Sequence, residues 1–88
     1  MSAARRQGRT PQISGRELIR FLCKTLGYEV VRQKGSHIIV QKVLPGGKNT
    51  VCVPNKKTLA KGTLNDILAY VGPPNGLSKE KLMDRLTS

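Results

Sequence analysis

Three β-branched runs stand between two amphipathic stretches, and that order constrains the fold more than any other feature of the chain. The runs are "YEVVRQ", "SHIIVQK" and "TVCVP". Residues branched at Cβ are stiff and pack well on a pleated surface. Lys34-Gly35 separates the first two runs, and a two-residue link ending in glycine suits a tight hairpin. The turn-rich "LPGGKN" joins the second to the third. Pro54 cannot donate to a ladder, so the third strand ends there or lies at an edge. A three-stranded antiparallel meander is expected.

The flanking stretches read as helices. In "ISGRELIRFLCKTLGYEV", Ser14 precedes Glu17 by three residues, the spacing of a capping box. Leu18, Leu22 and Leu26 recur every four residues with Ile19 and Cys23 beside them, which predicts a helix over 15–26. Gly27 suits the left-handed position that ends it. In "NKKTLAKGTLNDILAYVG", Thr63 is the expected N-cap, with Asp66 in the first turn. Leu64, Ile67, Leu68 and Val71 form the apolar stripe, and Gly72 closes the element. After the turn "PPNG", Ser78 caps a short final helix carrying Leu82, Met83 and Leu86. The order is α-β-β-β-α with a short C-terminal helix. Antiparallel strands with helices on one face make an α+β two-layer sandwich.

Charge narrows the partners. Sixteen lysines and arginines face five acids in 88 residues, a formal net charge of +11. A polyanion gains affinity for such a body by releasing counterions, so nucleic acid is the expected ligand. No segment combines a basic face with a broad apolar one or reaches membrane-spanning length, so no membrane role is expected. No leader-like segment is visible, and the expected location is the cytoplasm. The aromatics are Phe21, Tyr28 and Tyr70, too few for a binder that stacks successive bases. Cys23 and Cys52 form no CxxC pair and read as reduced core residues. Residues 1–12 carry Arg5, Arg6 and Arg9 without periodicity and read as a disordered basic arm. The folded domain is expected over 13–88.

Three segments, "LGYEVVRQKGSHIIV", "VCVPNKK" and "KGTLNDILAYVG", resemble in order and spacing the HicA-type mRNA interferase toxins of bacterial and archaeal toxin–antitoxin systems. The resemblance covers about residues 13 to 86. Its most diagnostic pieces are the Gly35-Ser36-His37 triplet and the "K-G-T-L-x-x-I-L" pattern from Lys61 to Leu68. It implies a double-stranded-RNA-binding-domain-like fold and endoribonuclease activity on mRNA, with His37 in cleavage. It also implies a HicB-like antitoxin, and the chain's charge makes an acidic one the expectation. Many members place another histidine two residues after the strand-three proline; here that position is Lys56.

The chemistry implied is attack of a ribose 2′-hydroxyl on the adjacent phosphate. It calls for a base, stabilisation of phosphorane charge and an acid, and it needs no metal and no cofactor. An imidazole, ordinarily titrating near about 6.5, carries either protonation state near neutrality. Lys34 or Lys56 is placed to stabilise charge. If Lys34-Gly35 is the loop, Arg32 opposes His37, where a guanidinium holds the scissile phosphate. Gly35 lets the RNA backbone approach. Ser36 either binds a phosphate oxygen or satisfies the turn. Lys56, Lys57 and Lys61 precede a helix N-terminus, which favours phosphate. No metal-ligand cluster is visible. A second reading of the same residues is an RNA-binding module of this fold that does not cleave.

Overall fold

Ser14 and Glu17 close the first helix reciprocally: the Glu17 N–H donates to Ser14 Oγ at 3.0 Å, and the Ser14 N–H donates to Glu17 Oε1 at 2.9 Å. The Ser14 backbone and hydroxyl hold the Glu17 carboxyl below its ordinary range. From that cap the computed structural model, which describes residues 12–87, runs through helix α1 (Gly15–Thr25). Strands β1 (Glu29–Lys34), β2 (His37–Leu44) and β3 (Gly47–Pro54) follow, then helices α2 (Lys61–Val71) and α3 (Lys79–Leu86). A 3-10 turn at Pro73–Asn75 joins the last two. The basic arm expected over 1–12 lies outside the described residues except for Gln12.

The strands form one antiparallel sheet in the order β1-β2-β3, the expected meander. Alternation along the strands sorts the side chains. Val40, Val51 and Val53 are buried towards the helices, and Ile38 packs beside them. His37, Ile39, Gln41 and Val43 occupy the opposite face of β2 by the same period. Cys52 falls on that open face and is exposed, so it is not a core residue. Its neighbours Val51 and Val53 take the inner positions, and a period of two leaves Cys52 no alternative. Cys23 packs against the core, and burial pushes its thiol pKa up.

Leu18 and Leu22 of α1, Leu64, Leu68 and Val71 of α2, and Leu82 of α3 are fully buried with Val40 and Val53. This is the two-layer α+β arrangement, and α3 completes the core as the expected tail helix. The far end of the sheet is held by polar groups. The Tyr28 hydroxyl donates to the buried Asn49 Oδ1, and Asn75 Nδ2 donates to the same hydroxyl at 3.1 Å. Asn75 Nδ2 also reaches the Val71 carbonyl at 2.8 Å, tying the start of β1 to the end of α2. Burial raises the Tyr28 pKa, which keeps the hydroxyl a donor.

Two further local expectations change. Helix α2 starts at Lys61 behind Ala60, with no side-chain cap, so Thr63 lies inside the helix rather than at its N-cap. Asp66 is accordingly beyond the first turn. The preceding Leu59 is buried and its N–H donates to the Ile13 carbonyl at 2.7 Å, which fixes the chain early enough for the helix to start at once. The first hairpin is also offset by one residue. Lys34 remains in β1 and pairs with His37, so the loop is Gly35-Ser36. Gly35 has φ +59° and Ser36 has no positive φ, the sign pattern of a type II′ turn. That turn demands glycine at its first central position, which places Lys34 on the strand.

Candidate functional site

His37 opens β2 at the hairpin end of the sheet and is exposed. It lies between Lys34 of β1 on one side and Pro54 of β3 on the other. Lys34 is therefore its direct cross-strand neighbour, in the position expected for Arg32. Arg32 pairs with Ile39 instead. It shares the open face with His37 diagonally, a separation of roughly 7–8 Å between backbones that long side chains span. Arg32, Lys34, Gly35 and Ser36 are all exposed, so this end of the sheet is open to a large ligand.

Backbone bonds draw the segment after β3 into the same corner. The Asn55 N–H donates to the Ser36 carbonyl at 2.6 Å, extending the ladder past Pro54. Ser36 thus contributes its carbonyl to the architecture, and Gly35 gives the loop its left-handed turn. The Gly15 N–H donates to the Lys56 carbonyl at 2.8 Å, which seats the start of α1 on the same link. A Cβ at Gly15 would lie 2.1 Å from the Pro54 carbonyl oxygen, so only glycine permits this approach. The corner is built from the hairpin loop, the link Pro54-Asn55-Lys56 and the first turn of α1.

Lys56 and Lys57 are exposed on the link, and Lys61 is exposed at the uncapped start of α2. The free N–H groups and partial positive charge there suit an anion. Lys57 and Lys61 stand farther along the chain, and among the described residues no hydrogen bond joins them to His37. Three further exposed cations, which the sequence pattern did not single out, lie on α1. They are Arg16, Arg20 and Lys24, exposed at four-residue spacing along the helix that begins at the Gly15 contact. Their signal in the sequence is the same four-residue spacing that marks the leucines of the opposite stripe. Among the described residues no group of three or more His, Cys, Asp or Glu side chains could hold a metal ion. Among them also, no helix is long and apolar enough to cross a membrane.

The fold is a small α+β domain with a double-stranded-RNA-binding-domain-like layout, on a basic chain. A family model described as the HicA toxin of bacterial toxin–antitoxin systems matches residues 15–72, from the first residue of α1 to the end of α2. The chain belongs to the HicA toxin family. No curated protein and no solved structure matches it.

Proposed function

We propose that this chain is a toxin that cleaves mRNA in the cytoplasm without a metal, with His37 as its acid–base residue and an acidic antitoxin as its inhibitor. The observation that carries this reading is the Lys34–His37 pair, exposed beside an open hairpin loop. His37 takes the proton of a ribose 2′-hydroxyl as that oxygen attacks the adjacent phosphorus. The bond from phosphorus to the 5′-oxygen breaks, leaving a 2′,3′-cyclic phosphate and a 5′-hydroxyl. The proton for that oxygen comes from solvent or from the imidazolium just formed. The Lys34 ammonium stabilises the charge gathering on the non-bridging oxygens, and Arg32 grips the neighbouring phosphate. The nucleophile belongs to the substrate, so the reaction needs no metal or cofactor.

With one histidine, the base and the acid are not separate protein groups. Such help is worth about 10²–10⁴-fold, which makes a slow enzyme. Lys56, Lys57 and Lys61 hold the RNA through phosphates, independent of sequence. Lys56 in place of a family histidine favours the second reading, an RNA-binding module that does not cleave.

Incubation of the purified protein with RNA separates the two. Cleavage that persists in EDTA and disappears in a folded His37→Ala variant supports the enzyme. Binding without cleavage by the parent protein supports the module, and a folded His37→Ala that cleaves at the parent rate removes His37 from the chemistry.

A further inference from the structure

Strand β1 is the least covered element of the molecule. It lies at an edge of the sheet, and all six of its residues are exposed. Helices α1 and α2 pack chiefly on β3, at the other edge. Among the described residues no backbone hydrogen bond joins another element to β1 besides its ladder with β2. Its register shifts between Val30 and Arg32, so Val31 is the extra residue of a bulge. Val30 is 53% exposed and Val31 49%, two adjacent apolar side chains left in water.

Natural edges are blunted by charge and bulges against unwanted pairing. Here Arg32 and Lys34 supply charge and the bulge supplies twist, yet the two valines remain uncovered. A bare edge with unpaired backbone groups and an apolar pair is the surface that strand addition uses. Charge decides the occupant. The strand carries Arg32 and Lys34 against the single acid Glu29, and a second copy would bring together two bodies each of charge +11. An acidic strand meets the same edge with complementary charge.

We propose that β1 is the docking edge for an extended acidic segment of the antitoxin, which adds to the sheet as a fourth strand. This rests on the antitoxin reading above. The added strand pairs with the free backbone of β1, packs apolar side chains on Val30 and Val31, and sets carboxylates against Arg32 and Lys34. β1 ends at Lys34, the partner of His37, so the added strand also ends beside the site. Inhibition then begins by taking Lys34 away from RNA phosphate.

The test uses the full chain, alone and mixed with the purified acidic product of the gene adjacent to its own. Hydrogen exchange is followed by mass spectrometry, and affinity by calorimetry for the parent and for Val31→Asp. Strand addition slows exchange across residues 30–34 by about tenfold or more. Val31→Asp weakens the complex by about tenfold or more, while the free variant cleaves RNA as the parent does. A complex that forms with unchanged β1 exchange overturns strand addition and leaves the antitoxin reading standing. Absence of any complex overturns both. Slowed exchange in the chain alone that grows with concentration, with a dimer mass, makes the occupant a second copy and overturns the acidic segment.

Discussion

Lys34 and His37 face each other as direct partners across the β1–β2 ladder, one on each side of the Gly35-Ser36 loop. Arg32 stands two pairs farther in, opposite Ile39. Lys34→Ala is therefore expected to slow RNA cleavage more than Arg32→Ala does, by about tenfold against a few-fold, as suits the loss of one charged hydrogen bond. Lys34→Arg restores most of the rate because it restores the charge. Single-turnover cleavage rates of the three folded variants check this, and equal losses at the two positions contradict it.

Gly15 and Gly35 need glycine for different reasons. A Cβ at Gly15 meets the Pro54 carbonyl, whereas one at Gly35 meets nothing within 4 Å. Gly35→Ala carries only the left-handed backbone penalty of about 1–2 kcal/mol. Gly15→Ala must displace the link that carries Lys56, and the expected cost is about 3 kcal/mol or failure to fold. Thermal melts rank the two variants.

On the proposed function, the cations beside α2 act on phosphates rather than bases. Lys56→Glu, Lys57→Glu and Lys61→Glu combined should weaken binding to unrelated RNAs alike. The slope of log affinity against log salt should become shallower by roughly 0.7–0.9 for each phosphate that is no longer neutralised. Titrations at several salt concentrations measure it, and an unchanged slope moves the RNA to the Arg16, Arg20 and Lys24 face of α1.

Acid should loosen α1 through Glu17. The Ser14 backbone and hydroxyl lower its carboxyl pKa below the ordinary 4.5. A depressed folded pKa means the stabilisation is complete above the ordinary value and is lost as pH falls through the lower one. Glu17→Gln still accepts the Ser14 N–H but does not titrate. Its melting temperature should therefore change less than the parent's between neutral pH and about pH 3. Ser14→Ala removes the cap outright, at about 1 kcal/mol.

The two thiols should react at different rates. Cys52 is exposed on the open face, whereas Cys23 is half-buried with its pKa raised by burial. A disulfide reagent at mildly alkaline pH should consume Cys52 first. Peptide mapping of the singly labelled protein identifies the site, and label on Cys23 first would be contrary to the burial pattern.

Period and turn chemistry alone determined the elements and their order. Leucines at four-residue spacing can bury only one helix face, and alternating β-branched residues can bury only one sheet face. Ser14 with Glu17 names a helix start because both partners are local. The family was legible for the same reason, as residues and spacings close together in the chain, and so were the candidates His37 and the lysines after Pro54. The register of the hairpin was not. Lys34-Gly35 and Gly35-Ser36 both offer a glycine to a two-residue loop, and only the left-handed Gly35 at the first loop position, with Asn55 bonded to Ser36 from the link after β3, decides that Lys34 faces His37. The start of α2 was decided the same way. Thr63 has the chemistry of a cap, but buried Leu59 bonded to Ile13 fixes the chain earlier. The uncovered β1 edge likewise follows from where the helices pack, a balance of packing among residues distant in sequence that no local pattern encodes.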